Sequence, residues 1–226
     1  MTVNLRLSLA VFSVGFAIQA AGDAYALAVG NTTLGHRELL LLLGPAFTVL
    51  GLLFLWVGRH EWNELHRQRV RHAHLSFFAS LVFLALAVTP LAWAAVLGYG
   101  SLPLWAHVLF AVGIAGTFSL TFLTYALTIF HLIGPAAKAA VILGFLWAVG
   151  VAFLIAAALD QRLSTIVSAV LQRSLSFGTV FSPVSALEAY LIVTYLIFLA
   201  AFVHAHRRIV RGVPTGTSAG DGGTPG

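Results

Sequence analysis

The chain has 226 residues, of which 60% are hydrophobic and only 8% are charged. Soluble domains carry about 25% charged residues, so the 12 basic and 7 acidic side chains here are too few to cover a water-soluble fold. The bilayer must therefore solvate most of the surface. Because the chain has no cysteine, disulfides, thiolate metal sites, iron–sulfur clusters and cysteine nucleophiles are excluded.

The apolar stretches are long and lack the polar alternation of membrane barrel strands, so they predict an all-α integral membrane protein. We expect a bundle of six transmembrane helices, each near the ~20 residues that cross a bilayer. Proline at positions 103, 135 and 183 marks helix starts, where the missing N–H costs nothing. The transmembrane domain covers residues 1–211, with spans at about 6–30, 38–58, 74–98, 103–131, 136–159 and 183–206.

The first apolar segment has two interpretations. Small residues at 20–22 resemble the cleavage site of a signal peptide. The segment stays apolar past Asp23 as far as Leu27, which suits an uncleaved span better. We therefore expect six spans; cleavage would leave five.

The basic residues predict the orientation. Nine fall in loops on one side and three on the other, which is a clear positive-inside bias. We expect a cell-membrane protein with both termini in the cytoplasm (N-in/C-in). The same placement explains the net charge of +5 through topology and anionic headgroups, and it argues against nucleic acid as a partner.

Three segments outside the spans have distinct compositions. Residues 58–73 hold good helix formers and no internal breaker, so they predict a basic cytoplasmic helical hairpin. Residues 160–182 carry apolar side chains at helical spacing and predict an outer amphipathic segment lying in the interface. The Gly- and Pro-rich tail at 212–226 is expected to be flexible.

Seven of the nine histidines fall on the predicted cytoplasmic side. Neutral imidazole ligates iron well, so His74, His131 and His204, from three different spans, are candidate ligands of haem b. The alternative is that these histidines, like the arginines, simply suit headgroup-level positions.

A second polar group lies nearer the outside. Asp23 and Glu188 are predicted roughly 7–9 Å above the bilayer centre at 1.5 Å per residue, and His107 a turn or so higher. An ionisable residue inside a span costs at least ~2.5 kcal/mol, so these three are candidates for binding an ion, proton or quinone. Alternatively, they pin helices together.

The basic hairpin is a candidate surface for docking lipid headgroups or an acidic partner. Its candidate residues are Arg59, Trp62, Arg67, Arg69 and Arg71. The sequence contains no Walker loop, nucleophile elbow, zinc-protease motif or selectivity filter. We therefore assign no catalytic residue and no metal site, and expect no catalytic activity of its own.

From Gly51 to Ala157 the layout resembles small multi-span proteins of the CtaM type, which mature haem–copper oxidases. The shared features are a basic hairpin with His66-Arg67, then Phe83-Leu84 in the next span, and then His107 and His131 at opposite ends of one span. The resemblance implies an association with respiratory membrane complexes.

Three functional hypotheses follow. The first is a membrane subunit or assembly partner of a larger, haem-linked respiratory complex, in contact with lipid and with other subunits or copies of itself. The second is a small proton- or cation-coupled transporter that uses Asp23 and Glu188. The third is a membrane enzyme acting on lipid or quinone, with residues 160–182 as a lid.

Overall fold

The computed structural model describes residues 3–29, 34–58, 70–97, 103–159 and 183–211. Six α-helices and their turns account for these residues, and none of them forms a strand. The prediction of an all-α fold is confirmed. Most of the predicted basic hairpin (59–69), the predicted interfacial segment (160–182) and the tail (212–226) lie outside the described residues.

Each helix overlaps one of the predicted hydrophobic segments. In chain order the helices are α1 (Val3–Val29), α2 (Leu34–Val57), α3 (Val70–Leu97), α4 (Leu104–Ile129), α5 (Pro135–Leu159) and α6 (Pro183–Val210). Proline acts as expected at the helix starts: Pro135 and Pro183 are first residues, and Pro103 directly precedes α4.

Five of the helices (α1, α3, α4, α5 and α6) are long and apolar enough to cross a membrane. In α2 the described apolar run, Ala46–Val57, is shorter. Large apolar side chains are exposed on every helix, as a lipid-solvated bundle requires. The chain is therefore a multi-pass membrane protein.

Neighbouring helices in the bundle are mostly antiparallel. α1 packs between α2 and α6, α4 packs between α3 and α5, and α5 also contacts α6. The start of α1 meets the end of α2, where the Ser8 hydroxyl donates to the Gly51 carbonyl over 2.8 Å. We call the end that holds Val3 and Val210 the termini end, and the other end the far end.

Exposed tryptophans mark two levels along α3. Near the termini end, Trp56 of α2 makes an edge contact with the His74 ring, with centroids 4.8 Å apart. Near the far end, Trp93 contacts Trp105 of α4 at 5.3 Å. The rise along α3 from His74 to Trp93 is roughly 28 Å, close to the ~30 Å hydrocarbon thickness of a bilayer. Tryptophan is enriched at both membrane interfaces, so these contacts match an interfacial belt on each side.

The core joins three helices through stacked aromatic rings. Phe16 of α1 lies 4.9 Å from the ring of Tyr125 in α4 and 5.8 Å from that of Phe198 in α6. Phe12 packs beside it against Phe202 at 5.1 Å, and Phe122 lies 5.2 Å from Phe198. Offset and edge-on arrangements such as these are the favourable geometries for aromatic pairs.

Glycine allows α3 and α4 to approach closely. A Cβ built on Gly113 would lie 2.6 Å from the backbone nitrogen of Ala87, and one on Gly116 would lie 2.2 Å from the Phe83 ring. The Ser76 hydroxyl also donates to the Leu120 carbonyl across this contact. Small residues bring membrane helices together in this way because packing, rather than burial from water, drives their association.

We predict that Gly113→Ala destabilises the bundle by about 1–3 kcal/mol, because the new methyl group collides with the α3 backbone. Gly150→Ala is the matched control, since a Cβ there meets nothing within 4 Å. The control should be neutral or stabilise by up to ~1 kcal/mol through helix propensity. Denaturation of both variants in mixed micelles measures the difference, and equal stabilities would contradict the close α3–α4 contact.

Candidate functional site

Asp23 lies on the face of α1 that forms the aromatic core. It follows Phe12 by eleven positions and Phe16 by seven, which places all three on one side of a helix with 3.6 residues per turn. All three are buried, and Asp23 is only 3% exposed. The carboxyl is therefore inside the bundle and not at the lipid-facing surface.

Asp23 also lies at hydrocarbon depth. It falls within the apolar window Leu5–Ala28, about 9 Å before the end of α1 at 1.5 Å per residue. A carboxyl group at this depth is costly to insert, and such residues face the interior of a bundle when they are retained.

Tyr195 of α6 is a polar neighbour of Asp23. The two side chains are close enough to interact electrostatically. The Tyr195 ring also contacts the aromatic core, at 6.3 Å from Phe16 and 6.1 Å from Phe122. The site therefore combines the carboxyl group of Asp23 with the phenol of Tyr195 beside the aromatic core.

A hydroxyl pair extends the polar core toward α2. Thr48 Oγ1 and the Tyr125 hydroxyl are 2.9 Å apart, and either atom can donate the hydrogen bond. The other threonine hydroxyls described in the core bond within their own helix, as Thr124 does to the Leu120 carbonyl and Thr194 to the Tyr190 carbonyl. Such intrahelical bonds satisfy hydroxyls without any partner helix.

Glu188, the other predicted carboxyl, belongs to the second turn of α6, and its side chain lies outside the described part of the structure. The backbone register can still be compared. Phe12 meets Phe202 and Phe16 meets Phe198 in the antiparallel α1–α6 pair. Continuing this register puts Asp23 opposite position 191, which is one turn from position 188.

His107, the third predicted residue, is separated from Asp23 along the bundle. It lies in the first turn of α4 and is 5% exposed. The contact between Phe16 and Tyr125 sets Asp23 opposite the region of Thr117, roughly 15 Å along α4 from His107. This separation is larger than the single helical turn predicted from the sequence. The prediction aligned the centres of the spans, whereas aromatic packing fixes the register of α1 on α4.

The three histidines proposed as haem ligands have different environments. His74 is 9% exposed and packs against Trp56, His131 is half-buried beside Phe130, and His204 is exposed on α6. Among the described residues, no group of three His, Asp or Glu side chains is arranged to hold a metal ion.

Of the predicted basic docking residues, only the side chain of Arg71 is described; it is exposed in the first turn of α3. Arg59, Trp62, Arg67 and Arg69 lie outside the described residues, as does the segment 160–182 on which the enzyme hypothesis depends.

Sequence reasoning did not single out Thr48, Tyr125 or Tyr195 as site residues. One signal was available: Phe122 and Tyr125 in α4, and Tyr195 and Phe198 in α6, are three positions apart and so share a helix face. This spacing predicts a row of aromatic side chains along one face of each helix. It does not show which other helix that face packs against.

The comparisons with known proteins give no relative. No family model, no curated protein and no solved structure matches this chain. The function must therefore be inferred from the site itself.

Proposed function

We propose that the chain is a small proton- or cation-coupled carrier in which Asp23 holds the transported charge. The observation that supports this best is the burial of the Asp23 carboxyl in the core at hydrocarbon depth. Intramembrane carboxyl groups that face a bundle interior are characteristic of ion pathways and proton relays.

The chemistry follows from the cost of charge in apolar surroundings. An ionised carboxylate buried in a membrane-spanning bundle is far less stable than a neutral acid, unless a counter-ion accompanies it. Asp23 would therefore alternate between a protonated form and a form neutralised by a bound cation. The Tyr195 side chain is close enough to interact electrostatically with the carboxyl group and would sense its change of charge during the exchange.

We predict that Asp23→Asn abolishes ion flux in proteoliposomes, because an amide fills the same space but cannot take up or release a proton. The measurement is the internal pH, or internal sodium or potassium, after a gradient is imposed on liposomes carrying the full chain. Parental liposomes should exceed protein-free liposomes, and Asp23→Asn should not. Glu188→Gln tests the second carboxyl group of the proposed pathway.

Thr48→Val is the matched control for this experiment. It removes a buried hydroxyl from the same core, and its hydrogen bond with Tyr125, without removing an ionisable group. A carrier role for Asp23 requires flux to persist in Thr48→Val. Parental flux in the Asp23→Asn variant, or no flux in the parent, would refute the proposal.

We also propose six spans with both termini in the cytoplasm, supported by the nine basic residues in loops on one side against three on the other. The cysteine-free chain allows a direct test with single cysteines. In intact cells, an impermeant maleimide should label Ser164→Cys, whereas Thr2→Cys and Ser218→Cys should react only after lysis. Labelling of Thr2→Cys from outside would contradict the six-span topology.

A second candidate is a membrane subunit or assembly partner of a respiratory complex, as the likeness to oxidase-maturing proteins implies. The supporting observation is that α3 lies at the edge of the bundle. Its main neighbour is α4, and its Phe78 and Val82 side chains are exposed. Purification in mild detergent followed by mass spectrometry should then recover specific partners, and a Soret band would accompany haem ligation. Recovery of the chain alone, without such a band, would reject this candidate.

A further inference from the structure

The turn between α4 and α5 is held to the end of α6 by an arginine. Arg208 Nη1 donates to the Leu132 carbonyl over 3.3 Å, and the same nitrogen lies 3.7 Å from where a Cβ on Gly134 would be. Arg208 is only partly buried. A guanidinium has five N–H donors, and the bond to Leu132 uses one of them.

A lysine and a histidine occupy the same turn. Lys138 Nζ lies over the Phe130 ring, 5.1 Å from its centroid, and the His131 ring meets Phe130 edge-on at 5.7 Å. The aromatic face attracts the ammonium group and restricts it to this side of α5. Phe130 thus holds Lys138 in the turn to which Arg208 is bonded.

The positive charge of this turn is not neutralised within the described chain. Arg207 and Arg211 add two exposed guanidinium groups to the last turns of α6. In the ranges that the structure covers, none of Lys138, Arg207 and Arg208 forms an ion pair with a carboxylate. A concentration of cations at one turn therefore needs anions from elsewhere.

An exposed apolar surface lies directly next to these charges. From Lys138 toward the far end, α5 exposes Ile142, Leu143 and Leu146, and Leu143 is 66% exposed. The α4–α5 turn itself lies at the termini end, between the candidate spans that end at Ile129 and begin at Pro135, and Lys138 and Arg208 lie within one helical turn of the ends of their own spans. The cations lie near headgroup level, and the exposed apolar side chains of α5 lie below them. This arrangement suits a ligand that has an anionic headgroup and acyl chains.

We propose that this turn is a binding site for the headgroup of an anionic phospholipid. The α4–α5 turn site consists of Lys138 and Arg208, with His131 beside them. The free guanidinium N–H groups of Arg208 and the ammonium of Lys138 would donate to the phosphate oxygens in charge-assisted hydrogen bonds. The acyl chains would lie along the exposed α5 strip. Basic pockets between membrane helices recognise lipid headgroups through this chemistry.

The site is independent of the carrier function proposed for Asp23, and lipid selectivity tests it. The full chain is reconstituted in phosphatidylcholine bilayers containing spin-labelled phosphatidylglycerol or spin-labelled phosphatidylcholine, and electron paramagnetic resonance measures the immobilised fraction of each probe. The parent should prefer phosphatidylglycerol. The double variant Lys138→Gln/Arg208→Gln should lose about fivefold in relative affinity for each charge removed, from ~1 kcal/mol per basic residue near the surface.

The matched control is Arg6→Gln, measured beside the single variants Lys138→Gln and Arg208→Gln. It removes one exposed charge from the same end of the bundle but outside the turn, so it keeps the site while changing the net charge as much as either single variant does. Selectivity retained in the control and reduced in the turn variants supports the site. Equal losses in the control and the single variants would overturn it in favour of a diffuse field.

Two further results would also overturn the proposal. The first is that the parent shows no preference for phosphatidylglycerol, and that the preference arises only in the variant Glu61→Gln/Glu64→Gln. In that case the turn binds the chain's own acidic residues in the parent. The second is full displacement of the immobilised lipid by millimolar glycerophosphate, which would identify a site for soluble phosphate instead of lipid.

Discussion

The contact of Phe16 with Tyr125 and Phe198 is the interaction on which the rest of the bundle depends. It is where α1, α4 and α6 meet, and their registers are set there. In a bilayer these rings gain little from leaving lipid, because acyl chains are as apolar as phenylalanine. The contact must therefore be stabilised by close packing and ring geometry, which specify one alignment of the helices. That alignment brings Asp23 near Tyr195 and leaves His107 well beyond it.

The polar groups of the core follow from the same constraint. The hydroxyls of Thr121, Thr124, Thr128 and Thr194 bond to a carbonyl in their own helix, so these bonds need no partner helix and impose no register. The bond between Thr48 and Tyr125 is different because it links α2 to α4. Intramembrane hydrogen bonds of this kind contribute on average ~0.6 kcal/mol, so they refine a packing that the aromatic rings already determine.

Hydropathy was sufficient to predict six helices, because the bilayer allows only structures that satisfy their own backbone. The same rule identified Asp23 as exceptional, since charge is rare within a span. The partners of these residues could not be predicted. A membrane helix is apolar toward both lipid and protein, so its sequence does not show which face is inside. This is why His204, chosen as an inward ligand, is exposed, and why Tyr125 and Thr48, 77 residues apart, were not paired.

The order of the helices has a consequence for biogenesis. α1 is synthesised before α6, yet these two helices pack against each other. Throughout translation the face of α1 that bears Phe16 and Asp23 therefore lacks its final neighbour. A chain released before residue 183 would present an uncovered carboxyl group to the lipid or to the insertion machinery. Concealment of that group therefore waits for the synthesis of α6, and a cell that degrades membrane proteins with exposed acidic residues could distinguish copies with and without α6 by this group.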